Sequence, residues 1–270
     1  MNRALLVGIN AYPTAPLRGC VNDVVDMAKF IVKRCGFNIT NVRLLVDNRA
    51  TKREIMSHLG WLLTGVKPGD RLFFHYSGHG AQVSTRTPQG EVDKLDEIIC
   101  PVDFDWTDDS MIRDKEFHRM FKTVPEGVHF IWVSDSCHSG DLSRFMPKKG
   151  ESIRAMRSPA DLWWRVKTAR ELNLLPLSLA ELARKCHLAL IPGCKSSQTS
   201  ADAVFNGRYN GALTYFLLKT LNEKDKRKLP LSELIPVVAE RLEKAGFTQD
   251  PAVEGDSGVV GKPFFASSFV

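Results

Sequence analysis

VHFIWVSDSCHSG, residues 128–140, is the stretch that decides the fold of this chain. It begins as an apolar run from Val128 to Val133 and then changes abruptly to small polar residues around Cys137. A short apolar run that is bounded by turn residues predicts a buried strand. We therefore expect a strand that delivers the Cys137 thiol to the end of a sheet.

A second stretch has the same order of features. Residues 71–74 have an apolar centre, and they lead into YSGHG, residues 76–80, where glycines flank a histidine. A neighbouring imidazole converts a thiol into the thiolate, which is the nucleophilic form. We predict that the two loops meet, that Cys137 and His79 form a nucleophile pair, and that the N–H groups of Gly80 and Cys137 face a developing oxyanion.

Each of these residues also has a simpler, structural interpretation. An isolated cysteine is more often a small buried residue, and the matched loop at His79 is what favours chemistry at Cys137. Among the other histidines, His75 precedes the turn and by alternation should point into the packing of the sheet. His138 adjoins the thiol in sequence, and adjacent side chains rarely face each other.

Length and composition set the class of protein. The 270 residues are 43% hydrophobic and 25% charged, which is ordinary for a globular protein, and the length suits one large α/β domain or two small ones. No apolar run approaches the ~20 residues of a membrane span, and the first eight residues lack the features of a signal peptide. We therefore predict a cytoplasmic location and no membrane partner. The six cysteines form no C-x-x-C pair, which argues against structural zinc.

The net charge of +6 is concentrated in one segment. Residues 143–185 contain ten Lys or Arg against four acidic residues, a surplus of six that equals the net charge of the whole chain. Because the basic character belongs to a connecting segment, it argues against a nucleic-acid partner. The same segment contains three prolines and no steady periodicity, and connections this long are usually functional or disordered.

Alternating strand and helix patterns predict a parallel or mixed sheet covered on both faces. Strands are predicted near residues 4–7, 42–46, 71–74, 97–102, 128–133 and 186–191, and helices near 21–35, 51–62, 117–121, 212–221 and 231–242. Residues 193–210 are predicted to be a polar loop. The helix near 21–35 is expected to be capped by Asn22 or Asp23, and the one near 231–242 by Ser232. Residues 51–54 read as a capping box, with Thr51 as the cap of the helix near 51–62.

Four motifs together resemble one known family. YSGHG (76–80) and DSCHSG (135–140) look like the two signature motifs of the metacaspases, which are cysteine peptidases of the caspase fold. RGCVNDV (18–24) and QTSAD (198–202) resemble two further family motifs, and the likeness runs in the family's order over residues 4–221. The spacing of 58 residues from His79 to Cys137 also resembles the roughly 50 described for the Cys–His pair of caspases. Bacterial, type I-like members without a prodomain are the most similar in pattern.

The resemblance implies a fold, a reaction and a specificity. The fold would be one caspase-like α/β/α sandwich with a central, mostly parallel sheet of about six strands. Asp23 and Asp135 would line a pocket that favours Arg or Lys before the cleaved bond, with Cys20 of the same motif as Asp23 as a further substrate-binding residue. Carboxylates in a partly dry pocket suit such cations. A helix cap and a turn residue remain the structural alternatives for Asp23 and Asp135.

The resemblance also suggests self-cleavage and raises the question of calcium. Family members are often cut at basic residues after the catalytic cysteine, which would divide the chain into a large segment (1–142), a connecting loop (143–185) and a small segment (186–270). The candidate cleavage sites are Lys148, Lys149, Arg154 and Arg157, and a merely solvated loop is the alternative. Calcium activates many metacaspases; its possible ligands here are Asp103, Asp108, Asp109 and Asp114, although Lys115 stands where an acid would be expected.

The motifs and the resemblance to the metacaspases thus imply a cysteine endopeptidase that acts on proteins or peptides after Arg or Lys and needs no cofactor for its chemistry. Two alternatives stay open: a catalytically quiet binding or scaffold module of the same fold, and a peptidase of this fold with another specificity. The oligomeric state does not follow from the sequence, and a monomer is the slightly favoured expectation.

Overall fold

The computed structural model describes residues 1–86, 92–137, 150–160, 162, 166–167, 183–194, 198 and 200–265. Its strands are β1 (Asn2–Gly8), β2 (Val42–Val46), β3 (Arg71–Ser77), β4 (Gly80–Arg86), β5 (Val92–Ile99), β6 (Ile112–Arg113), β7 (His129–Asp135), β8 (Ser152–Ile153), β9 (Ala189–Pro192), β10 (Ala201–Phe205), β11 (Arg208–Gly211) and β12 (Glu254–Gly255). Its helices are α1 (Cys20–Arg34), α2 (Lys52–Leu63), α3 (Asp114–Phe121), α4 (Ala212–Leu221), α5 (Leu231–Lys244) and α6 (Ser257–Val260).

A six-stranded sheet with the order β12-β9-β7-β3-β1-β2 forms the centre of the molecule. The strands from β2 to β9 in that order run parallel, and the short edge strand β12 is antiparallel to β9. The predicted six-stranded, mostly parallel α/β fold is confirmed. Parallel neighbours share the edge at which their carboxyl ends emerge, so the loops after β3 and β7 leave the sheet side by side.

The two faces of the sheet are covered by different helices. Leu5 and Val7 of β1 pack in one hydrophobic cluster with Ile55 of α2, and α3 adds two phenylalanines to that cluster. Leu6, on the opposite face of β1, packs in a second cluster with Val24 of α1 and with side chains of α4 and α5. Alternate residues of one strand therefore face two cores, which gives the three-layer α/β/α sandwich. Each fully buried aliphatic side chain stabilises this arrangement by about 1.5–3 kcal/mol.

The starts of three helices test the expected caps. The Thr51 hydroxyl accepts a hydrogen bond from the Glu54 N–H at 3.3 Å, as predicted for α2. The cap predicted for α1 is wrong, because the helix begins at Cys20 after Gly19 and Asp23 lies inside its first turn. The cap predicted at Ser232 is also wrong, since α5 already begins at Leu231.

Two small three-stranded sheets accompany the central one, with the orders β4-β5-β6 and β11-β10-β8. The prediction of a polar loop over residues 193–210 is therefore wrong in its second half, where β10 and β11 form an antiparallel pair. The basic connecting segment contributes β8, which pairs with β10 through Ser152 opposite Asp202. None of the helices in the described ranges is both long enough and apolar enough to cross a membrane.

Candidate active site

His79 and Cys137 lie in the two loops that leave the central sheet at the carboxyl ends of β3 and β7. The register of these strands pairs Ser77 with Asp135, so each loop starts beside the other. The Gly78 N–H also bonds to the Asp135 carbonyl oxygen at 3.4 Å. The predicted meeting of the two loops is therefore present at the level of the backbone.

The imidazole of His79 is buried and held in one tautomer. Its Nε2 lies 2.7 Å from the carbonyl oxygen of Ala15. A carbonyl oxygen only accepts hydrogen bonds, so Nε2 carries the ring proton and Nδ1 keeps its lone pair. Burial lowers the pKa of His79 to about 4, which keeps the ring neutral near pH 7. Tyr12 supports this position, because its hydroxyl accepts from the His79 N–H at 3.0 Å and its ring lies 4.5 Å from the imidazole.

The backbone N–H groups of Gly80 and Cys137 converge on one oxygen atom. Both donate to the carbonyl oxygen of Arg154, each at 3.1 Å. The same carbonyl faces the His79 ring. Two N–H donors aimed at a single carbonyl oxygen, beside a thiol and an imidazole, form the arrangement that stabilises a negative oxygen in acyl transfer.

The Cys137 side chain is fully buried and donates its S–H to the carbonyl oxygen of Gln198 at 2.9 Å. A second thiol, that of Cys194, donates to the same oxygen at 3.2 Å. Hydrogen bonding with Cys137, together with burial, raises the pKa of Cys194 well above its usual value. The nucleophile predicted from the sequence therefore has a neighbouring thiol that sequence reasoning did not single out.

The side chain of Arg154 fills an acidic pocket behind its own carbonyl group. The guanidinium is fully buried and reaches Asp23 at 2.7 Å, Asp202 at 2.9 Å and Asp135 at 3.3 Å. It also donates to the Ser77 hydroxyl at 2.6 Å. Burial alone would lower the pKa of Arg154, but the three carboxylates raise it well above its ordinary value.

Each pocket carboxylate is held by further donors. Asp23 accepts from the Asn210 amide at 2.8 Å and from the Gly211 N–H. Asp135 accepts from the hydroxyls of Ser200 and Thr214 at 2.7 Å and from the Thr214 N–H in the first turn of α4. Burial raises the pKa of Asp23 to about 7, although the guanidinium opposes this shift. The pocket thus depends on a bound cation for its charge balance.

Asp202 is the pocket residue that sequence reasoning missed. It receives the N–H groups of Arg18 and Gly19 as well as the Arg154 guanidinium. Its signal was present, since it ends the QTSAD motif. Cys20 is buried in the same region, and burial raises the pKa of its thiol well above its usual value.

The backbone of the Arg154 segment is extended and paired on both sides. The Arg154 N–H donates to the Ser200 carbonyl at 3.1 Å, and the Met156 N–H donates to the Gly80 carbonyl at 2.9 Å. Main-chain pairing of this kind is how peptidases and other peptide-binding proteins hold an extended peptide. Of the other candidate cleavage residues, Arg157 is exposed, and Lys148 and Lys149 lie outside the described residues.

Of the competing histidines, His75 is buried with its Nε2 3.3 Å from the Thr214 hydroxyl. Burial lowers its pKa to about 3. Its predicted place in the packing of the sheet is confirmed. His138 lies outside the described residues.

The acidic residues proposed for calcium are not assembled into a site. Asp103 accepts from the Lys52 N–H at the start of α2, Asp108 pairs with Arg113, and Asp109 is exposed. Asp114 is buried, which raises its pKa to about 7.

A neighbouring carboxylate, Asp96, is already paired with two cations, the Lys115 ammonium at 3.1 Å and the Arg113 guanidinium at 2.8 Å. Across the described ranges, no group of three His, Cys, Asp or Glu residues has the geometry to hold a metal ion. These residues do not fit a calcium ion, because the Lys115 ammonium and the Arg113 guanidinium already neutralise the negative charge that would attract it.

The family model that matches this chain and three similar curated proteins are all described as metacaspases. The family model described as metacaspase, peptidase C14 domain, matches residues 2–145. Metacaspase-2 of Trypanosoma brucei brucei is 32% identical over 95% of this chain and 74% of its own length. Metacaspase-1 of Scheffersomyces stipitis is 32% identical over 82% of this chain, and the aligned region covers 63% of that protein.

The aligned region also covers only 58% of Metacaspase-1 of Schizosaccharomyces pombe, so the chain spans less than two thirds of these fungal relatives. A crystal structure of a Geobacter sulfurreducens protein superimposes with a TM-score of 0.69 at 25% identity and covers 98% of both chains.

Proposed function

The chain belongs to the metacaspase family, and we propose that it is a cysteine endopeptidase that cleaves after arginine or lysine, with its own Arg154 as the first substrate. One observation carries the proposal: Arg154 occupies the site as a bound substrate residue would. Its carbonyl oxygen receives the N–H groups of Gly80 and Cys137, while its guanidinium reaches three carboxylates. The bond after Arg154 is then the bond to be cleaved.

The reaction begins with a proton transfer from Cys137 to His79. Nδ1 of His79 is the acceptor, since Nε2 is already protonated and bonded to Ala15. The Cys137 thiol must first turn away from the Gln198 carbonyl, to which it donates here. The thiolate then attacks the carbonyl carbon, and the negative oxygen is held by the two N–H groups. Each such donor is worth about 2.7–4 kcal/mol in acyl transfer.

His79 completes both halves of the reaction. It returns the proton to the leaving amine as the tetrahedral intermediate collapses to a thioester on Cys137. A water molecule, deprotonated by His79, then hydrolyses the thioester and frees the thiol. The Ala15 carbonyl orients the ring throughout, because it accepts from Nε2 in both charge states of the imidazole.

The acidic pocket supports the specificity. Three carboxylates that converge on one guanidinium bind a cation and repel an acidic substrate residue. The deep placement of Asp23, Asp135 and Asp202 makes this discrimination strong, because the charges are screened little by water. Lysine would fit as a point charge with fewer hydrogen bonds, so arginine is the better substrate.

Peptide reporters that differ only in the residue before the cleaved bond test the proposal. Protein incubated long enough for self-cleavage should hydrolyse Arg and Lys reporters and should leave the Asp reporter almost untouched. Cys137→Ala and His79→Ala should abolish turnover. Asp202→Asn should lower kcat/KM for the Arg reporter roughly 10- to 150-fold, as expected for loss of about 1.5–3 kcal/mol from a charged hydrogen bond.

Asp26→Asn is the matched control for the pocket variants. Asp26 lies on α1 one turn after Asp23 but pairs with Arg208 at the surface, so its variant should retain parental kcat/KM. Equal turnover of the Arg and Asp reporters would contradict the specificity. Labelling of Cys137 by a thiol-reactive peptide without hydrolysis of any reporter would instead favour the catalytically quiet binding module.

A further inference from the structure

Cys194 is a second thiol at the site to which the proposed reaction gives no role. It follows Gly193 directly after β9, the neighbour of β7 in the central sheet. The Cys137 and Cys194 sulfur atoms share one acceptor, the Gln198 carbonyl oxygen, at 2.9 and 3.2 Å. Both side chains are buried and form a small apolar cluster with Ala155.

The backbones of the two cysteines continue neighbouring strands and lie one residue out of register. β7 and β9 pair through Ser134 opposite Pro192, and the Gly193 N–H continues this pairing by donating to the Ser134 carbonyl at 2.7 Å. A Cβ on Gly193 would lie only 2.9 Å from the Ser136 carbonyl oxygen. Neighbouring strands are about 4.8 Å apart, and a disulfide needs Cα atoms about 4.4–6.8 Å apart. The geometry therefore suits a bridge between Cys137 and Cys194.

We propose that Cys137 and Cys194 form a reversible disulfide when the protein meets a peroxide, which switches the proposed peptidase off. This inference rests on the proposed function, since the switch acts on the same nucleophile. The Cys137 thiolate attacks the O–O bond of hydrogen peroxide, becomes a sulfenic acid and releases water after protonation. The Cys194 thiol then attacks that sulfur, the S–OH bond breaks, and the hydroxyl leaves as water with the proton of Cys194. Two thiols lose two electrons, which the peroxide accepts.

The surroundings of the two thiols determine which one reacts with peroxide and which one then forms the bridge. His79 is the base that the proposed reaction assigns to Cys137, whereas Cys194 has a raised pKa and stays protonated. Cys137 is therefore the thiol that reacts with peroxide, and Cys194 resolves it. A dithiol reductant reverses the bridge. Without Cys194, the sulfenic acid would persist and oxidise further to the irreversible sulfinic acid.

Mass mapping tests the bridge without any need for peptidase activity. The full chain is treated with hydrogen peroxide, its remaining thiols are alkylated, and it is digested with trypsin without reduction. A linked pair of peptides, residues 123–144 and 186–195, is expected and should disappear after treatment with dithiothreitol. The second peptide also contains Cys186, so the link is mapped again in Cys186→Ser, which should retain it. Peroxide-treated protein in which Cys194 remains fully alkylatable would overturn the proposal.

An activity measurement on the same samples separates the two proposals. Arg-reporter hydrolysis should fall in proportion to the linked fraction and return with dithiothreitol. After the same exposure to peroxide and then dithiothreitol, Cys194→Ser should regain less of its hydrolysis rate than wild type or Cys186→Ser. Equal recovery of Cys194→Ser and wild type would overturn the switch. If the reduced protein never hydrolyses the reporter, the proposed function fails, while the mass map still reports on the bridge.

Discussion

Replacing Arg154 by glutamine should destabilise the uncleaved chain by several kcal/mol. The Arg154 guanidinium is the buried cation that Asp23, Asp135 and Asp202 share at 2.7, 3.3 and 2.9 Å. Glutamine keeps part of the stem and a hydrogen-bond donor but removes the charge. Breaking a buried ion pair from one side costs about 3–5 kcal/mol, because the remaining charge stays buried without compensation. With three carboxylates affected, we expect the upper end of this range at pH 8.

The loss should be smaller in acid. Burial raises the pKa of Asp23 to about 7 against the opposing effect of the guanidinium, so removal of the guanidinium raises it further. A carboxyl whose folded pKa is raised contributes stability below its unfolded pKa and loses it as the pH rises through the folded pKa. The Asp23 contribution to the unfolding free energy of the variant therefore goes on falling above pH 7, where in the parent it no longer changes. Its deficit should be larger at pH 8 than at pH 5.5.

The assay is urea denaturation followed by tryptophan fluorescence, since Trp132 is fully buried in the core. All variants carry Cys137→Ala so that the chain stays intact. Arg157→Gln is the matched control, because Arg157 is exposed three residues further on and its loss should change the unfolding free energy by no more than about 0.5 kcal/mol. A deficit below about 1 kcal/mol for Arg154→Gln at pH 8, or a larger deficit at pH 5.5, would refute the reasoning.

Three further changes have defined outcomes. Gly211→Ala would drive a Cβ into the Asp135 carboxylate, so kcat/KM for the Arg reporter should fall roughly tenfold or more, while iodoacetamide still labels the Cys137 thiol. Unchanged kinetics would contradict this packing. Calcium or a chelator should leave reporter hydrolysis unchanged, since Lys115 and Arg113 already pair with Asp96; activation by calcium would show that this cluster rearranges. Between pH 8 and pH 5 the parent should lose about 2 kcal/mol of unfolding free energy that His129→Phe retains. Burial lowers the pKa of His129 to about 4, and stability from a neutral histidine is lost as the pH falls below 6.5; parallel pH profiles would contradict this.

The elements of the fold that the sequence predicted well are those determined by local patterns. The apolar run before Cys137 became β7, and the periodic apolar residues of 212–221 became α4 with the predicted bounds. The two signature loops follow directly from strand ends, so the positions of His79 and Cys137 at the edge of the sheet follow from the local sequence alone.

The features that were missed depend on long-range contacts. β10 was not predicted because the charged residue Asp202 breaks the expected alternation of apolar and polar residues. Asp202 is buried because it belongs to the pocket. Asp23 looked like a helix cap because its true partners, Arg154 and Asn210, lie more than 130 positions away. Arg154 itself was one of four equal cleavage candidates, and it is distinguished by contacts with residues far away in the sequence, at its backbone with Gly80 and Ser200 and at its guanidinium with the three carboxylates.

The site of self-cleavage tests the central claim most directly. Purified wild-type protein, Cys137→Ala and Arg157→Gln are incubated at pH 8, and the fragments are identified by intact mass and N-terminal sequencing. We predict a new N-terminus at Ala155 in wild type and Arg157→Gln, and an intact chain in Cys137→Ala. A wild-type chain that hydrolyses the Arg reporter but is cut elsewhere or not at all, or a Cys137→Ala chain that is still cut after Arg154, would contradict the account.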